Sequence, residues 1–228
     1  MATSGTTTFD LNIDDVIQEG FERCNLKANS GYDLKSARRS LNILFSEWGN
    51  RGVHLWKVAS YSQSLTAGTS EYTTQTGTND VLEAYISTSS GTTSSTTDVS
   101  LTKISRSDYA ALPNKGSRGQ PSQYYVARES APKIILYQTP DASTYTHLKY
   151  FYLKRIEDVG AYTNTPDIVF RFIPCMAAGL AYYLSMKYNP KLVEQNKLIY
   201  EDELSRALNE DGQRTSVYIT PQTYYPQQ

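Results

Sequence analysis

The side chains that could support catalysis or metal binding in this sequence are two histidines, two cysteines and a few runs of carboxylates. His54 and His147 belong to no H-x-x-x-H or comparable ligand spacing, and a solitary histidine is more often a surface or satisfied core residue than a ligand. Cys24 and Cys175 lie far apart with no C-x-x-C spacing, which fits free thiols acting as small buried hydrophobes in a reducing compartment. Asp14-Asp15 and Glu201-Asp202-Glu203 offer the two carboxylates that cleavage of a cell-wall glycoside needs, one as acid and one as base or nucleophile. Their place in helical patterns favours a solvated polar face instead. No G-x-S-x-G, Walker A or G-x-G-x-x-G pattern is present, because the glycines are scattered among turns. The expectation is therefore no catalytic, metal or cofactor-binding residue, no cofactor and no enzyme.

Binding chemistry is the other possibility. Lys35, Arg38, Arg39 and Arg51 could form a basic strip on one helix, but the formal net charge is -1 and the pI near 6.1, so no bulk field attracts a polyanion. The same residues suit ion pairs between subunits. The start, Met-Ala-Thr-Ser-Gly-Thr-Thr-Thr, has neither a basic nor an apolar region of a signal peptide, and the apolar stretch from Ile168 to Leu184 is broken by Arg171 and Pro174. A soluble, unsecreted protein without a membrane partner is expected.

At 228 residues the chain can bury roughly 70% of its unfolded surface, and its periodicity says how. Asn12 is a good N-cap for a first helix, with Asp14 and Asp15 in the first turn and Ile13, Val16, Ile17, Phe21 and Cys24 on one stripe. After the break at Asn29-Ser30-Gly31, a second helix is predicted from near Asp33, carrying Leu34, Ala37, Leu41, Leu44, Phe45 and Trp48. Gly49 and Gly52 mark its end. Helical signals return at Thr165-Pro166-Asp167, with Phe170, Ile173, Ala177, Leu180, Ala181 and Leu184 inward and Pro174 kinking or resetting the start. Asn189-Pro190 separates this helix from a last one with Val193, Tyr200, Leu204, Ala207 and Leu208, ending at Asp211-Gly212. Each pair is joined tightly, which predicts two hairpins in one bundle, and Ala177, Ala178, Gly179 and Ala181 would let helices approach closely.

Between the pairs the period falls to two. Val53, Leu55 and Trp56 enter an extended segment that continues through Tyr61 to Leu65, and Val81 to Ile86 reads as a strand. Ser87 to Thr97 is a nearly pure Ser/Thr run that should bury nothing and form a mobile hairpin tip around Ser90, Gly91 and Thr92, with Val99 to Ile104 pairing back across it. Asp108 to Leu112 reads as a short helical turn and Asn114 to Pro121 as loop. Strands are predicted over Gln123 to Arg128, Lys133 to Tyr137 and His147 to Lys154, in the last of which Leu148, Tyr150, Tyr152 and Lys154 share a face. The whole is α+β: an antiparallel helical bundle over 8–52 and 160–212, an inserted antiparallel β domain over 53–159, and an extended C-terminal tail over 213–228. That tail holds Val217, Tyr218, Ile219, Tyr224 and Tyr225 among prolines, placed as if to be buried by something else.

Several stretches, in this order, carry a resemblance over almost the whole chain: Trp48-Gly49-Asn50-Arg51-Gly52-Val53-His54-Leu55-Trp56-Lys57, Gln63 to Tyr72, Ile104 to Tyr109, Gly119 to Tyr125, Ile134 to Pro140, and the helical pair from Pro166 to Asn209. The sequence resembles the head-to-tail adaptor, or packaged-DNA stabilisation protein, of short-tailed bacteriophages. Where such proteins often carry Leu-Pro after the equivalent of Tyr72, this chain has Thr73-Thr74-Gln75-Thr76.

The resemblance implies a structural virion protein at the capsid-tail junction, made in the host cytoplasm. It implies a homo-dodecameric ring beneath the portal that extends the DNA channel, lets DNA pass during packaging and ejection, and presents its β module to the tail or nozzle. It also gives the tail residues Val217, Tyr218, Ile219, Tyr224 and Tyr225 the portal protein as partner, and the tip at Ser90, Gly91 and Thr92 the nozzle. The 19 tyrosines agree, being more than a core of this size needs and of a type favoured at interfaces. The alternatives are a virion-associated, carboxylate-based peptidoglycan hydrolase and a DNA-binding module.

Overall fold

The computed structural model describes residues 5, 9, 11–28, 30–52, 57–91 and 95–211. Helices α1 (Ile13–Arg23) and α2 (Gly31–Asn50) come first. They are followed by β1 (Val58–Ser64), β2 (Glu71–Thr73), β3 (Thr78–Ser87), β4 (Asp98–Ser100), β5 (Thr102–Lys103), α3 (Arg106–Ala111), β6 (Arg118–Gly119), β7 (Gln123–Ala127), β8 (Lys133–Tyr137), β9 (Thr139–Pro140) and β10 (His147–Lys154). Helices α4 (Ile173–Tyr188) and α5 (Val193–Asp211) close the described chain. The fold is α+β, as the change of period predicts. The expected strand entry at 53–56 lies outside the described residues.

The helical stripes bury as their spacing dictates. Ile13, Val16, Ile17, Phe21 and Cys24 of the first helical segment are all buried, as are Ala37, Leu41, Leu44, Phe45 and Trp48 of α2. Asp15 accepts from the Asn12 amide at 3.2 Å, and the next two amides, of Ile13 and Asp14, donate to the carbonyls of Asn164 and Tyr162, both at 3.0 Å. The otherwise unpaired N–H groups of a helix start are thus satisfied partly from a distant loop. Helix α2 begins earlier than predicted because Ser30 caps it, its hydroxyl accepting from the Asp33 amide at 3.2 Å.

Helix α4 is the hub. It is buried on nearly every side from Cys175 to Ala181, the mark of a helix surrounded by protein, and it packs on α1, α2 and α5, whereas α1 and α2 touch each other only lightly. The second hairpin, α4 with α5, packs on itself as predicted, but α1 and α2 pack on α4 rather than on each other. Two glycines permit the approach. A Cβ at Gly20 would stand 2.9 Å from Leu180 Cδ2, and one at Gly179 would stand 2.9 Å from both Leu44 methyls and from Tyr200 Cε2.

The start of α4 is corrected. A 3-10 turn at Phe170–Phe172 precedes it, and no helix begins at Thr165-Pro166-Asp167. Pro174 lacks an N–H and its ring crowds the carbonyl four residues earlier, so a helix running through it would be kinked or broken, while the first turn tolerates it. Asp167 instead pairs with Lys57 and accepts from the Glu157 amide at 3.1 Å. Phe170 is consequently exposed and Phe172 takes the inner place. In α5 the inward set is Asn196, Tyr200, Leu204 and Ala207, with Leu208 exposed.

The strands form two four-stranded sheets, ordered β1-β10-β3-β4 and β2-β8-β7-β5, with a small β6-β9 pair. Pairing is antiparallel except for β5 with β7 and β6 with β9, a departure from the fully antiparallel module expected. The segment Val99 to Ile104 does not act as one strand. Its first half pairs with β3 and its second with β7, so the chain changes sheets at buried Leu101, whose amide donates to the Ala84 carbonyl at 2.9 Å. The sheets share one apolar cluster that includes Val81, Ile86, Leu148 and Tyr150 from the first and Tyr124, Val126, Ile134 and Leu136 from the second. The helices have a separate cluster of their own. Val159, in the chain after β10, joins the helical cluster, where its amide donates to Asn42 Oδ1 at 2.7 Å and its carbonyl accepts from Arg38 at 3.2 Å.

Candidate functional site

The residues with catalytic potential are dispersed and engaged. His147 is half-buried with Nδ1 at 2.8 Å from the Thr146 hydroxyl, and His54 lies outside the described residues. Cys24 is buried, its thiol donating to the Ala181 carbonyl at 3.2 Å. Burial pushes the pKa of both Cys24 and Cys175 upward, which keeps them as thiols and away from nucleophilic chemistry. Glu201 accepts both guanidinium nitrogens of Arg51, at 2.9 and 3.0 Å, and those hydrogen bonds hold its carboxyl below the ordinary range. Asp202 and Glu203 both pair with Arg206, while Asp14 accepts from Gln18 and Asp15 serves the N-cap. Among the described residues no group of three or more His, Cys, Asp or Glu could hold a metal ion, and no helix is long and apolar enough to cross a membrane.

The basic strip is redistributed by packing. Arg51 is committed to Glu47 and Glu201 and lies over the Tyr200 ring at 5.7 Å. Arg38 is taken up by the Val159 carbonyl and stacks on Tyr162 at 5.8 Å. Lys35 and Arg39 stay exposed, with no ion pair among the described residues. A third cation joins them from α4: Lys187 donates to the Ser36 carbonyl and hydroxyl at 3.3 and 3.1 Å and to the Ser40 hydroxyl at 2.7 Å. Burial, and then the charge of Arg39, push its pKa down. Tyr32, Ile43 and Tyr188 line the same open cleft with Ser36, Arg39 and Lys187, so the face combines positive charge with unburied aromatic and apolar area. Sequence reasoning missed Lys187. The only local sign was the pair of buried serines, Ser36 and Ser40, one turn apart on α2, and it is a weak one because the Ser40 hydroxyl already donates to the Ser36 carbonyl at 3.2 Å.

The hairpin tip is more structured than its composition predicts. Ser90 and Gly91 are exposed, and Thr92 lies outside the described residues. The base of the tip is tied down, however. Ser87 is fully buried with its hydroxyl donating to the Ser89 carbonyl at 2.8 Å, the Thr88 amide donates to Thr97 at 3.2 Å, and the Thr146 hydroxyl donates to the Thr88 carbonyl at 3.0 Å. Lys149 completes the tie: its ammonium donates to the Gly91 carbonyl at 2.8 Å, lies 3.6 Å from Asp98 and sits over the Tyr85 ring at 6.0 Å. A Ser/Thr run cannot make a core of its own, but its backbone carbonyls can be gathered by an ammonium ion. The tail residues Val217, Tyr218, Ile219, Tyr224 and Tyr225 lie outside the described residues.

The described surface thus carries an open cleft that is both aromatic and basic, and exposed residues at Ser90 and Gly91. No curated protein matches the chain. The sequence model of one family, the SU10 adaptor protein, matches residues 34–224, from the first turn of α2 through the sheets and both late helices.

Proposed function

The chain belongs to the SU10 adaptor protein family, a family of phage head-to-tail adaptors, and from that premise we propose that it forms a ring docked beneath the portal, extending the DNA channel and joining the capsid to the tail or nozzle. The observation that carries this reading is the extent of the family match, which takes in nearly all of α2, both sheets, α4, α5 and most of the tail. Subunit number follows by family analogy as twelve. In this reading the helical unit, 8–52 and 160–212, forms the wall of the ring, while the β unit, 53–159, projects toward the nozzle with Ser90, Gly91 and Thr92 at its tip. Val217, Tyr218, Ile219, Tyr224 and Tyr225 bind the portal. The mechanism is assembly at the capsid-tail junction of the virion, without chemistry on a substrate.

Physical features support a lateral role for the helices. Arg39 and Lys187 line one cleft with exposed Tyr32 and Ile43, and neither they nor Lys35, exposed one turn before Arg39 on α2, has a carboxylate partner among the described residues. Acidic side chains of a neighbouring copy would complement these cations, and aromatic area is what interfaces use. Particle imaging of the purified protein with and without its cognate portal tests the proposal. Rings seated on the portal are expected; a protein that stays monomeric beside every structural protein of its virus would overturn it.

The DNA-binding reading draws on the same three cations. A channel that lets DNA slide must not grip it, so weak, strongly salt-dependent contact is expected. Tight filter binding at physiological salt would favour a nucleic-acid-binding module over an adaptor.

A further inference from the structure

Helix α5 ends beside an unusual patch of surface. The carboxylate of Asp211, its last residue, is only 3% exposed and is held by the Arg171 guanidinium, whose Nε donates to it at 2.8 Å. The pair clamps the end of α5 to the 3-10 turn at the head of α4. Phe170, the neighbour of Arg171 in that turn, is 56% exposed and forms an open, almost wholly apolar cleft of about 440 Å³ with Phe9, Leu11, Ile173 and Pro174. Phe9 is itself 69% exposed, with its ring 6.3 Å from that of Phe170. Two bare phenylalanines facing one apolar trough are the kind of patch that marks a binding surface.

The chain beyond Asp211 carries a matching segment. Its first apolar run is Val217-Tyr218-Ile219, six to eight positions past Asp211, after the polar residues Gln213 to Ser216 and before Thr220-Pro221. Six extended residues span up to about 20 Å, ample to reach a cleft whose wall includes the residue next to Arg171. In an extended segment Val217 and Ile219 share a side and would enter the trough together.

We propose that Val217–Ile219 dock in the Phe9–Phe170 cleft of the same chain, so that the free subunit stores its apolar tail on its own helical unit. Taken with the portal reading, on which this consequence alone rests, cleft and portal compete for the same residues, and the tail is released only where a portal offers a better site.

Hydrogen exchange read by mass spectrometry on the full chain alone, without portal, tests the docking. The amides of 217–219 should exchange at least about tenfold more slowly than in an unstructured peptide, independently of protein concentration. Phe170→Asp should abolish that protection while α5 keeps its own. Should Phe170→Asp fail to fold, Val217→Asp with Ile219→Asp places the change in the tail, and the amides near Leu11 and Phe170 should then exchange faster. Unprotected 217–219 in the unaltered protein would overturn the proposal, as would protection that survives the substitutions. Protection lost on dilution would also overturn it, because the occupant would then be a second copy's tail. None of these outcomes depends on portal binding, so they leave that reading to its own test.

Discussion

Lys149 shows how one side chain changes the character of a segment. On β10 it pairs across to Tyr85 and Ser62, on the face opposite buried Leu148 and Tyr150, yet it is itself buried because the tip lies against it. Lys149→Met keeps the apolar stem but removes the donor to Gly91 and the partner of Asp98. It should cost about 1–3 kcal/mol in urea unfolding and speed proteolysis within 88–97, with the rest of the sandwich intact. The buried tyrosines carry a second consequence. Burial pushes the phenols of Tyr124, Tyr150 and Tyr183 up to about 12, aided at Tyr183 by its hydrogen bond to Glu47, and raises that of Tyr200 further. An unfolded chain loses these protons near pH 10, so between about pH 10 and 12 the unfolded state binds fewer protons than the native one. Their contribution to stability is complete below pH 10 and is lost as the pH rises through 12. Tyrosinate absorbance followed with circular dichroism should show part of the tyrosines ionising only as secondary structure disappears.

At the scale of elements, the bundle depends on how closely helices can approach α4. Alanine is a better helix former than glycine by roughly 0.5–1 kcal/mol, but at Gly179 the new methyl would meet Leu44 and Tyr200 at 2.9 Å, and overpacking costs about 1–3 kcal/mol. Gly179→Ala should therefore lower stability, and Gly179→Val should lower it further. Gly49 is the contrast, since nothing lies within 4 Å of its added Cβ near the end of α2. Gly49→Ala should raise stability by about 0.5–1 kcal/mol. Denaturant midpoints of the three variants decide the matter, and a stabilised Gly179→Ala would mean that the helices are farther apart than described.

For the whole molecule, the two apolar clusters divide the fold so that helical and β surfaces can meet different partners. Removing 215–228 should leave the helical content unchanged while abolishing docking to the portal, read by sedimentation with purified portal. A truncated protein that still assembles there would refute the role proposed for the tail. Shortening 88–97 should spare ring formation and weaken attachment of the tail or nozzle. Loss of the ring itself, seen in particle images, would show that the tip belongs to the subunit contact.

What the sequence determined by itself was local: the stripes of α1 and α2, the bounds of β8 and β10, the central role of small residues in α4, and the resemblance that the family match bears out. Periodicity of 3.6 or 2 is written in neighbouring residues, and burial follows it. Tertiary structure alone decided where α4 starts, since Pro166 and Pro174 each suit a first turn and only packing of Phe172, with Asp167 drawn to Lys57, selects the second. It also decided that Val99 to Ile104 serves two sheets, because a strand's partner is chosen by residues distant in sequence. The same holds for the engagement of Arg38 and Arg51 and the arrival of Lys187 and Lys149 at Ser36 and Gly91. Charge is local in sequence, but which charges remain free is fixed by the distances that folding creates.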